Sequence, residues 1–115
     1  MIKLYGIANC DTMRKARQWL DEHGVDYEFH DYKKQGVNPV LLREWCGALG
    51  WKQLMNTRGT TWRKLPEATR EQMDETLALA VMEDQPSISK RPILTTETQQ
   101  LIGFDIERYQ HLFLH

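Results

Sequence analysis

The chain of 115 residues carries 15 basic and 16 acidic side chains, so its length predicts one domain over residues 1–115. A formal net charge of −1 argues against a nucleic-acid-binding or membrane-surface protein. The sequence has no apolar run of about 18 residues, as a transmembrane helix needs, and its N-terminus turns polar too quickly for a signal peptide. We therefore expect a cytoplasmic location with no membrane or nucleic-acid partner. Two cysteines 36 positions apart make no disulfide framework, and both are expected to remain thiols.

The first part of the chain has a strand–helix–strand pattern. Residues 2–7 predict a strand, and a helix follows from about Cys10 to His23, with Gly24 placed to end it. The helix is indicated by side chains that recur at spacings of three and four, namely Met13, Ala16, Arg17 and Leu20. Residues 25–32 alternate apolar and polar side chains, as a half-buried strand does. A connection of this length favours a parallel pair with a right-handed crossover.

The middle of the chain is predicted to be mostly helical. Residues 33–39 indicate a loop, in which Asn38 is the N-cap of a helix that reaches about Leu49. An irregular segment over 55–66 precedes a second helix, which runs to about Asp84.

The C-terminal part predicts a hairpin and a helix. Residues 85–92 are expected to be extended, 93–96 and 99–104 to form two short strands, and Asp105 to cap a terminal helix. The whole order predicts an α/β fold of the thioredoxin-like type. It has a mixed four-stranded sheet with helices on its faces and a helical insertion at about 38–84.

Cys10 is the leading candidate for chemistry, because it lies where the first strand turns into the first helix. The first turn of a helix has unpaired N–H groups and the positive end of the helix dipole. Both favour a thiolate and predict a lowered pKa for Cys10. Arg14, one turn further, adds a cation, whereas the charge of Asp11 opposes the effect. The alternative is a small residue that packs at a strand–helix junction.

Cys46 is interpreted as a structural thiol, because it shares a helix face with Leu42 and Trp45. Met13 stands where a dithiol oxidoreductase carries its resolving cysteine, so the chain has no Cys-x-x-Cys. If Cys10 is a redox nucleophile, its disulfide partner comes from outside, either a small thiol or another protein.

Two arginines in predicted loops are candidate anion ligands. Arg58 lies in the irregular segment and Arg91 just before a strand, and a planar guanidinium suits oxyanions and carboxylates. The alternative is that both are solvated surface residues. Pro92 is a candidate for a cis peptide bond.

No zinc-type spacing links the histidines to the cysteines, and no glycine-rich phosphate loop occurs, so no metal and no nucleotide cofactor is expected.

Three segments together, 5–32, 56–65 and 89–94, resemble the ArsC/Spx-type thioredoxin-fold family, and within it the YffB branch of arsenate reductase-like proteins. The resemblance implies that Cys10 is the nucleophile and that Arg91 contacts the oxyanion or the bound thiol. Pro92 matches the family's cis-proline, and Arg58 falls near a second active-site arginine. We therefore place Cys10 and Arg91 in catalysis. Substrate or thiol binding is assigned to Asn9, Thr12, Arg14, Arg58, Lys90 and Pro92.

Two departures from the family pattern narrow the expected function. Arsenate reductases carry a third arginine after the Arg–Pro strand, and Phe104 aligns there, which argues against arsenate as the substrate. Spx regulators generally carry a second cysteine three residues after the first. Met13 occupies that place here, which argues against an intramolecular redox switch.

The resulting expectation is a thiol-dependent reductase in which Cys10 attacks an oxidised substrate or a glutathione mixed disulfide. Glutathione, a co-substrate rather than a bound cofactor, resolves the adduct, with glutaredoxin as a further partner. The chain is expected to be a monomer. One alternative is a non-catalytic or regulatory protein-binding module of the Spx-like type, and a third possibility is true arsenate reduction.

Overall fold

The structure, a computed structural model, describes residues 1–114 and divides into two compact units. The first unit comprises Met1–Asp31 and the chain from Arg91 onward, and the second comprises Tyr32–Lys90. In chain order the elements are β1 (Lys3–Gly6), α1 (Asp11–Glu22), β2 (Glu28–Asp31), α2 (Tyr32–Gln35), α3 (Pro39–Leu49), α4 (Trp51–Leu54), α5 (Thr60–Lys64), α6 (Glu67–Glu71), α7 (Glu75–Asp84), a 3₁₀ turn (Pro86–Ile88), β3 (Ile93–Thr95), β4 (Gln100–Ile102) and α8 (Ile106–Phe113).

The first unit contains one mixed sheet with the strand order β2–β1–β3–β4. β1 and β2 are parallel and are joined by the crossover through α1, whereas β3 is antiparallel to both β1 and β4. Leu4 of β1 lies opposite Phe29 on one side and Leu94 on the other. This is the predicted thioredoxin-like arrangement, so the predicted fold class is confirmed.

The core of the first unit forms where α1 and α8 bury apolar side chains against the sheet. The buried cluster consists of Leu4, Met13, Ala16, Trp19, Leu20, Leu94 and Tyr109. Burial of one large apolar side chain contributes about 1.5–3 kcal/mol, so this cluster is a main source of the unit's stability. Trp19 packs edge-on against Tyr109, with ring centroids 5.5 Å apart, which joins the two helices directly.

The second strand of the first unit is shorter than its alternating pattern predicts, because residues next to it cap α1. The N–H of Gly24 donates to the carbonyl of Asp21, and that of Val25 donates to Leu20 at 3.0 Å. Gly24 has a φ of +65°, which favours glycine at the end of a helix. Regular pairing therefore begins only at Glu28.

The second unit is helical, and α3 packs against α7. Asn38 caps α3 as predicted, since its Oδ1 accepts from the N–H of Val40 at 2.8 Å. The apolar faces of the two helices bury Leu42, Trp45, Cys46, Ala78 and Met82.

Four predictions for residues 33–92 are wrong in detail. Part of the predicted loop 33–39 belongs to α2, and the segment 55–66 includes α5. The predicted helix to Asp84 is two helices, α6 and α7, because Asp74 accepts from the N–H of Leu77 and starts a new helix. The segment predicted as extended contains the 3₁₀ turn.

From β3 onward the chain follows its prediction. β3 and β4 form the hairpin, and Asp105 Oδ1 accepts from the N–H groups of Glu107 and Arg108 at the start of α8. That all of residues 1–115 form a single domain stays a prediction. No helix within residues 1–114 is long and apolar enough to span a bilayer.

Candidate active site

Cys10 is the N-cap residue of α1. Its backbone is extended, with φ −147° and ψ 132°, and its carbonyl accepts the first helical hydrogen bond from the N–H of Arg14 at 3.0 Å. Four residues separate the end of β1 from the start of α1, so the thiol lies beyond the carboxyl end of the parallel pair. The predicted position at a strand–helix turn is confirmed.

The surroundings of the Cys10 thiol favour its ionised form. Partial burial raises the pKa of Cys10, but the N–H of Met13, the guanidinium of Arg91 and the N–H of Thr12 together outweigh burial and lower it. The sulfur makes no capping hydrogen bond of standard geometry. The N–H dipoles at the helix start nevertheless stabilise a thiolate, as does the nearby cation.

Arg91 reaches Cys10 because of the pairing between β1 and β3. Tyr5 lies opposite Ile93, so the chain just before β3 passes the end of β1 from which the Cys10 turn leaves. Arg91 both donates a hydrogen bond to the Cys10 sulfur and lowers its pKa through charge. The Arg91–Pro92 peptide bond is cis, and the carbonyl of Pro92 accepts from Gly103 N–H at 2.8 Å.

The guanidinium of Arg14 interacts with residues other than Cys10. Its guanidinium forms an ion pair with the exposed Asp11 and donates to Asn9 Oδ1 at 3.3 Å. The cation that lowers the pKa of Cys10 is Arg91 rather than its neighbour in sequence, Arg14. The pairing instead compensates the charge of Asp11, which would oppose a thiolate.

Thr12 lines an open groove beside the start of α1, together with Lys15 and residues 104–107. Phe104 is half-buried there and packs edge-on against Tyr109, with ring centroids 4.9 Å apart. The groove wall at Phe104 is therefore aromatic rather than cationic.

Arg58 and Lys90 belong to the second unit. The exposed Arg58 is held through its backbone, since its N–H donates to Asn56 Oδ1 at 3.2 Å and its carbonyl accepts from Arg63 Nη2 at 2.7 Å. The N–H of Lys90 donates to the carbonyl of Leu54 at 2.7 Å. Their assignment to substrate or thiol binding stays a prediction.

Cys46 differs from Cys10 both in the burial of its thiol and in the direction in which its pKa is shifted. Its side chain is 3% exposed, and burial, followed by the charge of Glu75, raises the pKa of its thiol. A buried thiol of raised pKa is a poor nucleophile.

Within residues 1–114, no group of three or more histidine, cysteine, aspartate or glutamate side chains is arranged to hold a metal ion.

Sequence reasoning missed one residue that shapes the site. A Cβ at Gly6 would collide with Sδ of Met13, so glycine lets the first turn of α1 pack directly on the end of β1. A glycine at a strand end just before the candidate nucleophile is the signal that indicates such a close approach.

The chain is similar to a protein family, to two solved structures and to a transcriptional regulator. A model of the ArsC family matches residues 5–112. The solved structure of the YFFB (PA3664) protein is 49% identical, covers 96% of this chain and 97% of its own, and superposes with a TM-score of 0.94. An arsenate reductase (ArsC) related protein from Brucella melitensis is 46% identical over 99% of this chain and 95% of its own, with a TM-score of 0.79. The global transcriptional regulator Spx of Streptococcus agalactiae is 29% identical over 107 residues, 91% of this chain and 77% of its own.

Proposed function

The chain belongs to the ArsC family and has an arsenate reductase-like fold, and on that premise we propose that it is a thiol-dependent reductase with Cys10 as its nucleophile. One observation carries the proposal: a thiol of lowered pKa lies at the start of α1 beside the guanidinium of Arg91. The thiolate is the reactive form in disulfide exchange, and these surroundings increase its fraction near neutral pH.

The proposed reaction has two exchange steps. In the first, the Cys10 thiolate attacks the glutathione sulfur of a mixed disulfide, a Cys10–glutathione bond forms, and the substrate leaves as a thiolate that takes a proton from water. In the second, the thiolate of another glutathione attacks the glutathione sulfur bound to Cys10. Glutathione disulfide is released and the Cys10 thiolate returns. The substrate is thereby reduced by two electrons, and two glutathione moieties leave as their disulfide.

The second step requires a thiol from outside the chain. Met13 occupies the position three residues after Cys10, and its side chain is fully buried. The other cysteine, Cys46, is buried with a raised pKa. Glutathione, alone or delivered through glutaredoxin, is therefore the proposed resolving thiol, in a reducing cytoplasm and with the chain acting as a monomer.

The remaining site residues have proposed roles in catalysis, for Arg91, and in binding. Arg91 stabilises the thiolate of Cys10 and the negative charge on the departing sulfur. Thr12 contributes its N–H at the helix start. Asn9 and Arg14, which hydrogen-bond to each other, are proposed to bind the substrate or the thiol. Pro92 fixes the chain before β3, while Arg58 and Lys90 are proposed to hold anionic groups of the substrate.

The test is turnover of a mixed disulfide of glutathione and mercaptoethanol, followed by glutathione reductase and NADPH. We expect turnover by the wild type and by Cys46→Ala, and none above background with Cys10→Ser. Mass spectrometry after incubation with glutathione disulfide should show one glutathionyl group, on Cys10 and not on Cys46. Turnover by Cys10→Ser equal to that of the wild type would refute the mechanism.

A second candidate function, a regulatory protein-binding module, is favoured by the similarity to Spx over 91% of this chain. Such a module would bind its partner through surface contacts that do not depend on Cys10 chemistry. Equal affinity of wild type and Cys10→Ser for an isolated partner, together with no glutathione-dependent turnover, would favour this function over the reductase.

A further inference from the structure

A concentration of positive charge in the second unit is larger than the proposed reaction requires. Residues 45–66 contain four basic and no acidic side chains, whereas the rest of the chain contains eleven basic and sixteen acidic ones. The charge of this segment is therefore opposite in sign to that of the remaining chain. We name the four basic side chains of this segment, together with Lys90, the basic cluster: Lys52, Arg58, Arg63, Lys64 and Lys90.

Backbone hydrogen bonds bring the segments of the basic cluster together. The N–H of Lys90 donates to the carbonyl of Leu54 at 2.7 Å, and the N–H of Asn56 donates to that of Ile88 at 2.8 Å. The chain that carries Lys90 thus runs beside the chain that leads from α4 to Arg58.

The helix α5 is tied to the same place. Arg63 Nη2 donates to the carbonyl of Arg58 at 2.7 Å, which holds one cation against the backbone of another. The hydroxyls of Thr61 and Ser87 lie 3.1 Å apart, so α5 is also joined to the segment before Lys90. These contacts hold the backbone that carries the cations before any partner binds.

The charges of the basic cluster are not neutralised within the described part of the chain. No carboxylate of residues 1–114 forms an ion pair with any of the five side chains. The guanidinium of Arg63 bonds to a neutral carbonyl and keeps its full charge. Lys52 Nζ lies 5.8 Å from the centre of the Trp51 ring, which also leaves its charge in place. Lys52, Arg58, Arg63 and Lys64 are exposed.

We propose that the basic cluster is a docking site for an acidic segment of a partner protein. Cations without an ion-pair partner among residues 1–114 keep their capacity to attract a negatively charged surface, and complementary charge directs encounter and orientation. A nucleic acid is a poorer fit, since a duplex presents a negative charge about every 1.7 Å along its axis. Beyond this cluster the chain is net acidic and repels such a polyanion.

The experiment measures fluorescence anisotropy of a labelled peptide of alternating glutamate and serine residues, which contains no cysteine. The test variant is the double substitution Lys52→Glu with Lys64→Glu. The control is Lys34→Glu with Arg43→Glu, which changes the net charge equally at two exposed positions of the same unit. A DNA duplex with the same label, measured in parallel, is the alternative probe.

We expect the peptide to bind the wild type, with an affinity that falls as salt is raised. Reversal of two cluster charges should weaken binding about tenfold, whereas the control should change it less than about twofold. Equal weakening by both doubles, no peptide binding, or tighter binding of DNA than of the peptide would overturn the proposal. We expect the same peptide binding in Cys10→Ser. Loss of the docking proposal therefore leaves the proposed reductase chemistry unaffected, and loss of the reductase proposal leaves the docking proposal unaffected.

Discussion

Replacement of Arg91 by methionine removes the cation beside Cys10 and keeps a side chain of similar length. The hydrogen bond and the charge that Arg91 supplies to the Cys10 thiolate are lost together. Partial burial of the thiol, which raises its pKa, remains, as do the N–H groups of Met13 and Thr12. The pKa of Cys10 should therefore rise in Arg91→Met.

The size of the effect follows from the kind of interaction that is lost. A hydrogen bond to a charged group contributes about 1.5–3 kcal/mol. The lower end of that range applies here, because Cys10 is only partly buried and solvent screens the pair. Since about 1.4 kcal/mol corresponds to a factor of ten, the thiolate fraction should fall about tenfold wherever the thiolate is the minor form.

The assay is the rate of Cys10 alkylation by iodoacetamide as a function of pH, with Cys46→Ala in every protein so that one thiol reports. Arg14→Met is the matched control, because Arg14 lies one turn from Cys10 yet pairs with Asp11. It should alter the rate less than about twofold. An alkylation rate of Arg91→Met within the same factor of the wild type, with unchanged thermal unfolding, would contradict the activating role of Arg91, and so would equally slow rates in the two variants.

Three further predictions concern stability. The pKa of Cys10 is lower in the folded than in the unfolded chain, so the Cys10 thiolate stabilises the folded state. This stabilisation is fully present above the unfolded pKa and is lost as the pH falls through the folded pKa. Urea titrations should therefore show that the free energy of unfolding of the wild type, minus that of Cys10→Ser, increases with pH between the folded and the unfolded pKa of Cys10. A difference that does not change with pH would contradict this prediction. Cys46→Ser should destabilise the fold by about 1–3 kcal/mol, more than Cys46→Ala, because a buried hydroxyl needs a partner; equal melting of the two variants would contradict this. Gly6→Ala should cost about 1–3 kcal/mol through its collision with Met13, and Met13→Ala should reduce that penalty in the double variant. The control Gly47→Ala, an open position in α3, should stabilise by about 0.5–1 kcal/mol, and a similar loss in both glycine variants would exclude the collision as the cause.

Features that depend on nearby residues were predictable from the sequence. The caps at Asn38 and Asp105, the parallel strand pair and the position of Cys10 at a helix start all follow from local spacing. The break at Asp74 was not, because an acidic residue on an exposed helix face and an N-cap look alike in sequence. Only the hydrogen bond to the N–H of Leu77 distinguishes the two.

The cation that acts on Cys10 shows why the site was only partly predictable. Arg14 is the nearer arginine in sequence, and helical spacing favoured it as the activating charge. Arg91 is far away along the chain and reaches the thiol through the pairing of Tyr5 with Ile93. Strand register over that separation leaves no periodic pattern in the sequence, so only the family resemblance indicated Arg91. In Arg14 the local partner Asp11 competes for the guanidinium.

Met13 links the packing of the first unit to the proposed chemistry. Its fully buried side chain packs on the bare backbone of Gly6, which fixes the first turn of α1 against the end of β1. That fixed turn presents the N–H of Met13 to Cys10, where it lowers the thiol pKa. In the proposed reaction, Met13 therefore supplies a backbone N–H that favours the Cys10 thiolate but no thiol that could resolve the adduct. The second step of the proposed reaction accordingly needs an external thiol.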